Sequence, residues 1–319
     1  MERIRLGPSD LMVSTLGLGC YSMSGAYGRQ DDDECIATIH RALDLGINFL
    51  DTSSNYGKGH NQTLIGKAIV GLRDEVIIHS KLGSIRPDGV NVISGTPDHV
   101  RNSCESGLMR LGIDCVDVIS ISRVDPVIPI EETVGAMAEL VQEGKTLHIA
   151  LSKGLTPELL ARAIAVHPIL SVQDEYSLFA RNPEDKLLDA CRMHGLVFMA
   201  FAPLGRGILG GVLQSADEVD RDERRDDQRF MAGNIEHNAS IVHRLDEIAA
   251  DKSVPVSALS LAWLMHQAGP VIPIPSAKTR AHLEENANAM ELRLSEEDLD
   301  RINEICPRGA VEGLSNHEH

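Results

Sequence analysis

The sequence predicts a (β/α)₈ barrel that forms a single domain over residues 1–319. Short apolar runs alternate with helix-like stretches, eight such runs are present, and no low-complexity linker divides them. Strands and helices that alternate at this spacing imply parallel strands with right-handed crossovers, and eight units favour a closed barrel over an open sheet. The predicted strands are residues 15–19, 47–50, 75–79, 116–121, 147–151, 170–172, 196–201 and 271–274.

Helices are expected between these strands and after the last of them. Pro255 interrupts the longest stretch, 240–266, so we expect two helices there. Two extra helices follow at the C-terminal end, and the second opens on Ser295-Glu296-Glu297-Asp298, which resembles a capping box. A short N-terminal β-hairpin is expected to pair 3–6 with 11–14. The predicted helices are 33–45, 61–71, 96–111, 130–143, 156–166, 183–194, the two within 240–266, 279–290 and 295–305.

The alternative fold is a doubly wound nucleotide-binding domain. That fold places a glycine-rich phosphate loop directly after its first strand. Gly17-Leu18-Gly19 is present, but Ser22 occupies the position of the third glycine. The barrel is therefore favoured.

Charge and composition restrict the class of protein. The formal net charge is −17 and no stripe of Lys or Arg is present, so nucleic acid is not an expected partner. Apolar stretches such as 256–265 are too short and interrupted to span a bilayer, and the N-terminus lacks the apolar run of a secretory signal. Six dispersed cysteines without metal-ligand spacing indicate reduced thiols and no metal site. We therefore expect a soluble, cytoplasmic protein whose oligomeric state stays open.

Three polar residues mark a candidate reactive site. Asp51 ends the second predicted strand, Tyr56 lies in the loop after it, and Lys81 follows the third strand. The carboxyl ends of barrel strands meet at one rim, where reactive groups lie in this fold. An ammonium group beside a phenol favours the phenolate, so Lys81 is expected to lower the pKa of Tyr56 and ease proton donation. The alternative is a salt bridge at the rim with an unrelated tyrosine nearby.

The segment from Asn48 to Gly57, NFLDTSSNYG, resembles the signature of aldo-keto reductases around their catalytic aspartate and tyrosine. Further segments resemble the family in the same order, and the similarity runs from about residue 3 to 306. The resemblance implies a (β/α)₈ barrel and hydride transfer from NADPH to the carbonyl of an aldehyde or ketone, with tyrosine as general acid. These segments are HSK at 79–81, SRVDP at 122–126, ALS at 150–152, VQDEYS at 172–177, APLGRG at 202–207 and LEEN at 283–286.

By this resemblance Asp51, Tyr56 and Lys81 match three of the four catalytic positions, and Ser122 stands where the family usually has histidine. That histidine donates a hydrogen bond that helps to hold the substrate carbonyl and relay protons. A serine hydroxyl is shorter and uncharged at neutral pH, and losing one such donor typically costs on the order of 10²-fold in rate. Two interpretations stay open: Ser122 fills space in a slow enzyme, or it enlarges the pocket for a bulky ketone or a sugar or natural-product carbonyl.

The resemblance also implies a site for NADP(H). Ser152 and Gln173 match the side chains that hold the nicotinamide carboxamide, and Phe201 matches the aromatic ring beneath the nicotinamide. The family usually has Asn or Glu at the position of Lys153. The remaining cofactor positions are Gly19, Cys20 and Asp51 after the first two strands, Pro203, Leu204, Gly205 and Gly207 around the pyrophosphate, Lys278 and Arg280 at the 2′-phosphate, and Glu285 and Asn286 at the adenine.

Three further features have predicted roles outside the catalytic positions. His79 could point into the barrel and is expected to be a packed histidine rather than a substitute acid. The acidic run 31–34 begins a predicted helix, where it complements the helix dipole. Residues 217–229, rich in both charges, are expected to form a mobile loop near the cofactor cleft.

The sequence thus favours an NADP-dependent carbonyl reductase or alcohol dehydrogenase acting on a small-molecule carbonyl substrate. The alternative is a nucleotide-binding regulatory protein of the potassium-channel β-subunit type with little turnover, since those proteins also lack the histidine. Chemistry on an activated alkene or a sugar alcohol is a third possibility, because one fold supports many functions.

Overall fold

The computed structural model describes residues 3–85, 92–219 and 223–315. The strands in this part of the chain are β1 (Arg3–Arg5), β2 (Met12–Ser14), β3 (Leu18–Gly19), β4 (Phe49–Ser53), β5 (Ile77–Leu82), β6 (Ser84–Ile85), β7 (Val92–Ile93), β8 (Val116–Ile121), β9 (Thr146–Ser152), β10 (Ser171–Glu175), β11 (Val197–Phe201) and β12 (Val271–Pro273). The α-helices are α1 (Asp32–Asp44), α2 (His60–Ala68), α3 (Pro97–Leu111), α4 (Ile130–Gln142), α5 (Pro157–Val166), α6 (Leu187–Met193), α7 (Asn234–Asp251), α8 (Val256–Met265), α9 (Arg280–Ala287) and α10 (Glu296–Ile305).

Eight parallel strands form one sheet in the order β3, β4, β5, β8, β9, β10, β11 and β12. Backbone hydrogen bonds join its two outer strands, because Gly17 N donates to Pro273 O at 3.0 Å and Gly19 N donates to Pro275 O at 3.0 Å. A side chain at Gly19 would lie 2.6 Å from Ile274 O, so this close approach requires glycine. The predicted (β/α)₈ barrel is confirmed.

The apolar core has two parts, one inside the barrel and one between the strands and the helices. Inside the barrel, Phe49, Val118, Met199 and Ile272 pack in one cluster with Leu6 of the N-terminal hairpin. A larger cluster fills the space between the strands and the surrounding helices. Because the predicted β1–β2 hairpin covers the N-terminal end of the strands, the polar residues gather at the C-terminal rim.

The helices agree with the sequence prediction apart from details at their ends. Helix α7 begins at Asn234, earlier than predicted, because Glu236 accepts a hydrogen bond from the Gly233 N–H at 2.6 Å and caps an additional turn. Pro255 separates α7 from α8 as expected, and α10 packs against α7 as an extra C-terminal helix. Nowhere in the described ranges is a helix both long and apolar enough for a membrane span.

Two local features differ from what the sequence predicted or extend it. The short antiparallel pair β6–β7, which joins Ser84 to Ile93, was not predicted because each strand has only two residues. The six cysteines all lie within the described ranges as free thiols, and five of them are buried, with Cys115 partly exposed.

Candidate active site

Asp51 is the centre of a buried polar cluster at the C-terminal rim of the barrel. On β4 it is paired with His79 of β5, so the alternation of side chains along a strand turns both residues inward together with Lys81. Its carboxylate accepts hydrogen bonds from Lys81 Nζ, from His79 Nδ1 at 2.8 Å and from Gln173 Nε2 at 2.9 Å. Burial alone would raise the pKa of Asp51, but the Lys81 ammonium and the His79 hydrogen bond outweigh it and hold the pKa at about 2. Asp51 is therefore ionised and fixes the position of Lys81.

His79 has a larger part in this cluster than the sequence indicated. Its side chain is fully buried beside Phe49, as expected for a packed histidine, yet its Nδ1 faces an ionised carboxylate and must donate. Burial lowers the pKa of His79, which favours the neutral ring. Its Nε2 is then an acceptor, and within the described ranges this buried atom has no hydrogen-bond partner. His79 is thus a direct partner of Asp51.

Tyr56 lies directly after β4 and faces the same cluster. It begins a tight turn, Tyr56–Gly59, in which Gly57 and Lys58 have positive φ of 56° and 55°. Lys81 Nζ lies 5.1 Å from the centroid of the Tyr56 ring, and the Tyr21 ring packs on it with 4.8 Å between centroids. The turn therefore brings the phenol beside the buried ion pair.

The pKa of Tyr56 differs from the sequence prediction. It is raised well above its ordinary value, first by burial and then by the negative charge of Asp51. The expected lowering of the pKa by Lys81 was wrong because burial of the phenol outweighs it, and because the Asp51 carboxylate that binds Lys81 adds a negative charge nearby. Tyr56 is consequently a fully protonated phenol at neutral pH, which is the form that a proton donor needs.

Ser122 follows β8, the strand beside β5. Its backbone N–H donates to Leu82 O at 2.7 Å, which fixes it at the end of the sheet. Its hydroxyl oxygen is buried and has no hydrogen-bond partner in the part of the chain that the structure describes. The hydroxyl is thus not engaged in the Asp51 cluster, and nothing in it replaces the reach of an imidazole.

Lys153 and Phe201 lie together on the far side of the rim from Tyr56. Phe201 ends β11, and Lys153 follows Ser152 at the end of β9. Lys153 Nζ lies 4.3 Å from the centroid of the Phe201 ring. Ser152 is buried nearby, and the amide nitrogen of Gln173 binds Asp51; both side chains were predicted to hold the nicotinamide carboxamide.

The segment after β11 forms a tight backbone turn. Gly205, Arg206 and Gly207 have successive positive φ values of 55°, 59° and 104°, and they directly follow Pro203 and Leu204. Within this turn the Gly205 N–H donates to Ala202 O at 2.8 Å, and the Gly207 N–H donates to Leu204 O at 2.9 Å. The predicted pyrophosphate segment is therefore a tight turn in which the glycines permit a close approach of the backbone to a ligand.

The residues predicted for the adenosine half lie near the start of α9 and beside the barrel seam. Lys278 Nζ donates to Tyr27 O at 2.7 Å, and the Arg280 guanidinium pairs with Glu34 at 2.9 Å. Both cations stand at the first turn of α9, where the helix dipole favours an anion. The other predicted positions are spread around them: Glu285 is exposed and Asn286 buried on α9, Gly19 lies at the seam, and buried Cys20 donates its backbone N–H to Asp51 O at 2.9 Å.

The loop predicted to be mobile, 217–229, is firmly attached in its second half. Arg229 and Asp227 are both fully buried and paired at 2.8 Å, and Arg229 also binds Glu175 at the end of β10. Glu223 accepts a hydrogen bond from Tyr21 Oη at 2.5 Å and pairs with Arg206 at 3.2 Å. Residues 220–222 lie outside the described ranges. The attached part places the Glu223 carboxylate against Tyr21, whose ring packs on Tyr56, and the charge pattern alone did not predict this contact.

These features together fit a bound dinucleotide. The tight turn at 205–207 brings the backbone of Gly207 close to Arg224, since a Cβ on Gly207 would approach Arg224 Nη1 to 3.2 Å. Two cations lie at a helix start in a chain of net charge −17, and an aromatic ring lies across the rim from the phenol. Phosphates, a flat ring and a proton donor thus each find matching groups on one face of the barrel.

Comparisons with known proteins agree with this site. The profile of the Aldo/keto reductase family matches residues 15–307. The chain is 37% identical over 316 residues to the Glycine max protein named "Probable aldo-keto reductase 1". The alignment covers 98% of this chain and 91% of that protein. The fold of this chain matches a glycerol dehydrogenase from Gluconobacter oxydans with a TM-score of 0.87, at 27% identity and 98% coverage of both chains. It also matches an aldo/keto reductase from Klebsiella pneumoniae in complex with NADP and acetate, with a TM-score of 0.75, 27% identity, and coverage of 99% of this chain and 98% of the other.

The chain therefore belongs to the aldo/keto reductase family, as the sequence resemblance predicted, and this family membership makes it an oxidoreductase.

Proposed function

We propose that this protein is an NADP(H)-dependent reductase that reduces the carbonyl of an aldehyde or ketone, with Tyr56 as general acid. Family membership and the Klebsiella pneumoniae relative solved with NADP support the cofactor that the sequence resemblance implied. Residues 203–207, Lys278 and Arg280 would hold its phosphates, Phe201 and Ser152 its nicotinamide, and Glu285 and Asn286 its adenine. When bound, NADPH supplies the hydride, and the protein supplies position and a proton.

The observation that carries this proposal is the placement of Tyr56 against the Asp51–Lys81 ion pair. Asp51 keeps the Lys81 ammonium charged and in place, and that ammonium lies 5.1 Å from the Tyr56 ring centroid. As the phenol gives up its proton, the adjacent positive charge stabilises the phenolate that remains. Tyr56 thus holds its proton in the resting enzyme, and the phenolate formed when it donates that proton lies beside a positive charge.

The substrate carbonyl faces a site with one polarising donor fewer than the family normally provides. The Ser122 hydroxyl is buried and has no hydrogen-bond partner among the described residues, so it does not replace an imidazole N–H donor. The substrate carbonyl is then polarised by a hydrogen bond from Tyr56 and by the positive charge of Lys81. The volume left by the missing ring favours a bulky ketone or a sugar or natural-product carbonyl over a small aldehyde. The same feature is what a regulatory NADPH-binding protein with little turnover would have.

NADPH titration followed by turnover against a broad carbonyl panel tests the proposal. Tyr56→Phe should lower kcat by about 10²- to 10⁴-fold while NADPH still binds. Tyr176→Phe is a matched control, because it also removes a tyrosine hydroxyl, but one that donates to Glu184 and lies outside the Asp51 cluster. Full turnover by Tyr56→Phe would refute the assignment of the acid.

A second variant addresses Ser122. A gain in kcat for Ser122→His across the panel would identify the serine as a loss of catalytic power. A changed substrate range without a gain would identify it as a specialised pocket. Tight NADPH retention without turnover of any carbonyl by the wild type would contradict the reductase proposal and favour the regulatory alternative.

A further inference from the structure

The backbone of Lys153 is held in a conformation that side chains with a Cβ seldom adopt. Its φ is +42°, although it is not glycine. Two hydrogen bonds fix this conformation, since Lys153 N donates to Gln173 O at 3.0 Å and Val124 N donates to Lys153 O at 3.0 Å. Strained backbone of this kind persists where the surroundings over-determine it, frequently at functional sites. The root of the side chain is therefore anchored, and only the lysine stem can move.

The anchored side chain reaches across the end of β10 to the ring that ends β11. Its ammonium lies 4.3 Å from the centroid of Phe201, close enough for a cation–π interaction. On β10, the Glu175 carboxylate is already held by Arg229 at 2.9 Å and by Ser315 Oγ at 2.5 Å. The Glu175 carboxylate, which attracts the Lys153 ammonium, is thus shared with Arg229 and Ser315, and the ammonium lies against the ring that ends β11.

We propose that Lys153 makes this site discriminate between the two oxidation states of the nicotinamide, so that it binds NADPH in preference to NADP⁺. The inference rests on the proposed function, in which Phe201 supports the nicotinamide ring. The oxidised nicotinamide ring carries a positive charge and the reduced ring carries none. A lysine ammonium tethered beside that ring repels the oxidised form and leaves the reduced form unaffected.

The charges around Lys153 give this effect a defined pH range. Burial lowers the pKa of Lys153 to about 8; Glu175 and Asp174 oppose this shift, and Arg123 and Lys81 add to it. Among the other groups at the rim, Asp51 has a pKa of about 2, burial lowers the pKa of His79, and burial raises the pKa values of Asp174, Cys20 and Tyr56. Lys153 is charged below about pH 8 and loses its charge above it, so discrimination against NADP⁺ should be strong at pH 7 and fade as the pH rises.

Binding measurements on both nucleotides test the inference without any turnover. A like charge beside an adjoining ring changes such a binding equilibrium by about tenfold, a value between those expected in water and in a dry interior. Calorimetric titration with each nucleotide gives the Kd for NADP⁺ divided by the Kd for NADPH. This Kd ratio should be about tenfold lower in Lys153→Asn than in the wild type. Lys153→Arg, which keeps the charge, should keep the ratio, and Lys67→Met on the exposed surface of α2 controls for overall charge.

The wild type provides a second test that requires no substitution. Between about pH 7 and about pH 9 its Kd ratio should fall as the affinity for NADP⁺ improves, and the ionisation of the 2′-phosphate cancels because both nucleotides carry it. The inference would be overturned if the Kd ratio stayed within about twofold of the wild-type value at pH 7, both in Lys153→Asn and in the wild type at higher pH. That result would leave the proposed function intact. Failure of the wild type to bind either nucleotide would instead refute the proposed cofactor site.

Discussion

Arg229 provides a test of how much a buried ion-pair cluster stabilises this protein. Its guanidinium is fully buried, donates to Asp227 through Nε at 3.0 Å and Nη2 at 2.8 Å, and donates to Glu175 through Nη1 at 2.9 Å. The carboxylates are also buried, so Arg229→Met would leave two negative charges in the interior with reduced compensation. Asp227 would retain its contact with Arg206, at 3.1 Å, and Glu175 would retain the hydrogen bond from the Ser315 hydroxyl.

The size of the effect follows from this burial. Removing one partner of a buried ion pair typically lowers the free energy of unfolding by about 3–5 kcal/mol. With an unfolding entropy of about 2.1 cal/mol/K per residue, a chain of 319 residues has roughly 0.7 kcal/mol/K in total. The expected decrease in Tm is therefore about 4–8 °C.

Thermal unfolding followed by circular dichroism measures this decrease. The matched control is Arg162→Met, because Arg162 makes a similar two-pronged contact with Glu131, at 2.7 Å and 2.8 Å, but on the exposed surface. Exposed ion pairs contribute little, so the control should keep a Tm close to the wild-type value. Equal Tm values for the two variants would refute the reasoning, because burial would then have no energetic consequence here.

Two further predictions concern His79 and the turn at Gly207. His79→Phe removes the 2.8 Å hydrogen bond to ionised Asp51 and should lower stability by about 1.5–3 kcal/mol and reduce kcat, whereas His79→Asn keeps a donor near Nδ1 and should lose less of both. Equal melting temperatures for the two would contradict this. Gly207→Ala places a side chain at φ 104° and 3.2 Å from Arg224 Nη1, so NADPH should bind about tenfold more weakly in a fluorescence titration. Gly144→Ala, also at positive φ (73°) but in open space, should leave the NADPH Kd unchanged, and equal weakening in both variants would show that the turn itself is not involved.

The fold and the identity of the reacting groups could be predicted because they depend on local patterns. Strands of a buried parallel sheet are continuous apolar runs, and the residue that ends each run must reach the same rim. This is why the sequence alone predicts that Asp51, Tyr56 and Lys81 lie together. The sequence pattern does not contain the burial of a side chain or the sum of the charges around it, so it missed that burial and the Asp51 charge raise the pKa of Tyr56.

The rest of the site depends on contacts between distant segments. Gln173 has a predictable position at the end of β10, but sequence spacing cannot tell that its amide would bind Asp51. Lys153 could be noted as an unusual residue, yet its place over Phe201 depends on a left-handed backbone fixed by Val124 and Gln173. The mixed charges of 217–229 are typical of a solvated loop, and only the three-dimensional arrangement places Arg229 in the interior.

The attachment of the 223–230 segment also bears on attempts to exchange parts among relatives. Glu175 accepts hydrogen bonds both from Arg229 of this segment and from Ser315. Gly313 also lies close to the segment, because a Cβ on Gly313 would approach the Gln228 carbonyl carbon to 2.6 Å. The 223–230 segment, the end of β10 and residues 313–315 therefore constitute one transplantable module. A chimera that imports the 223–230 segment alone would carry Asp227 with the buried arginine but would leave out the Glu175 acceptor and the residues around Gly313. A graft intended to alter substrate choice therefore has to carry all three segments together.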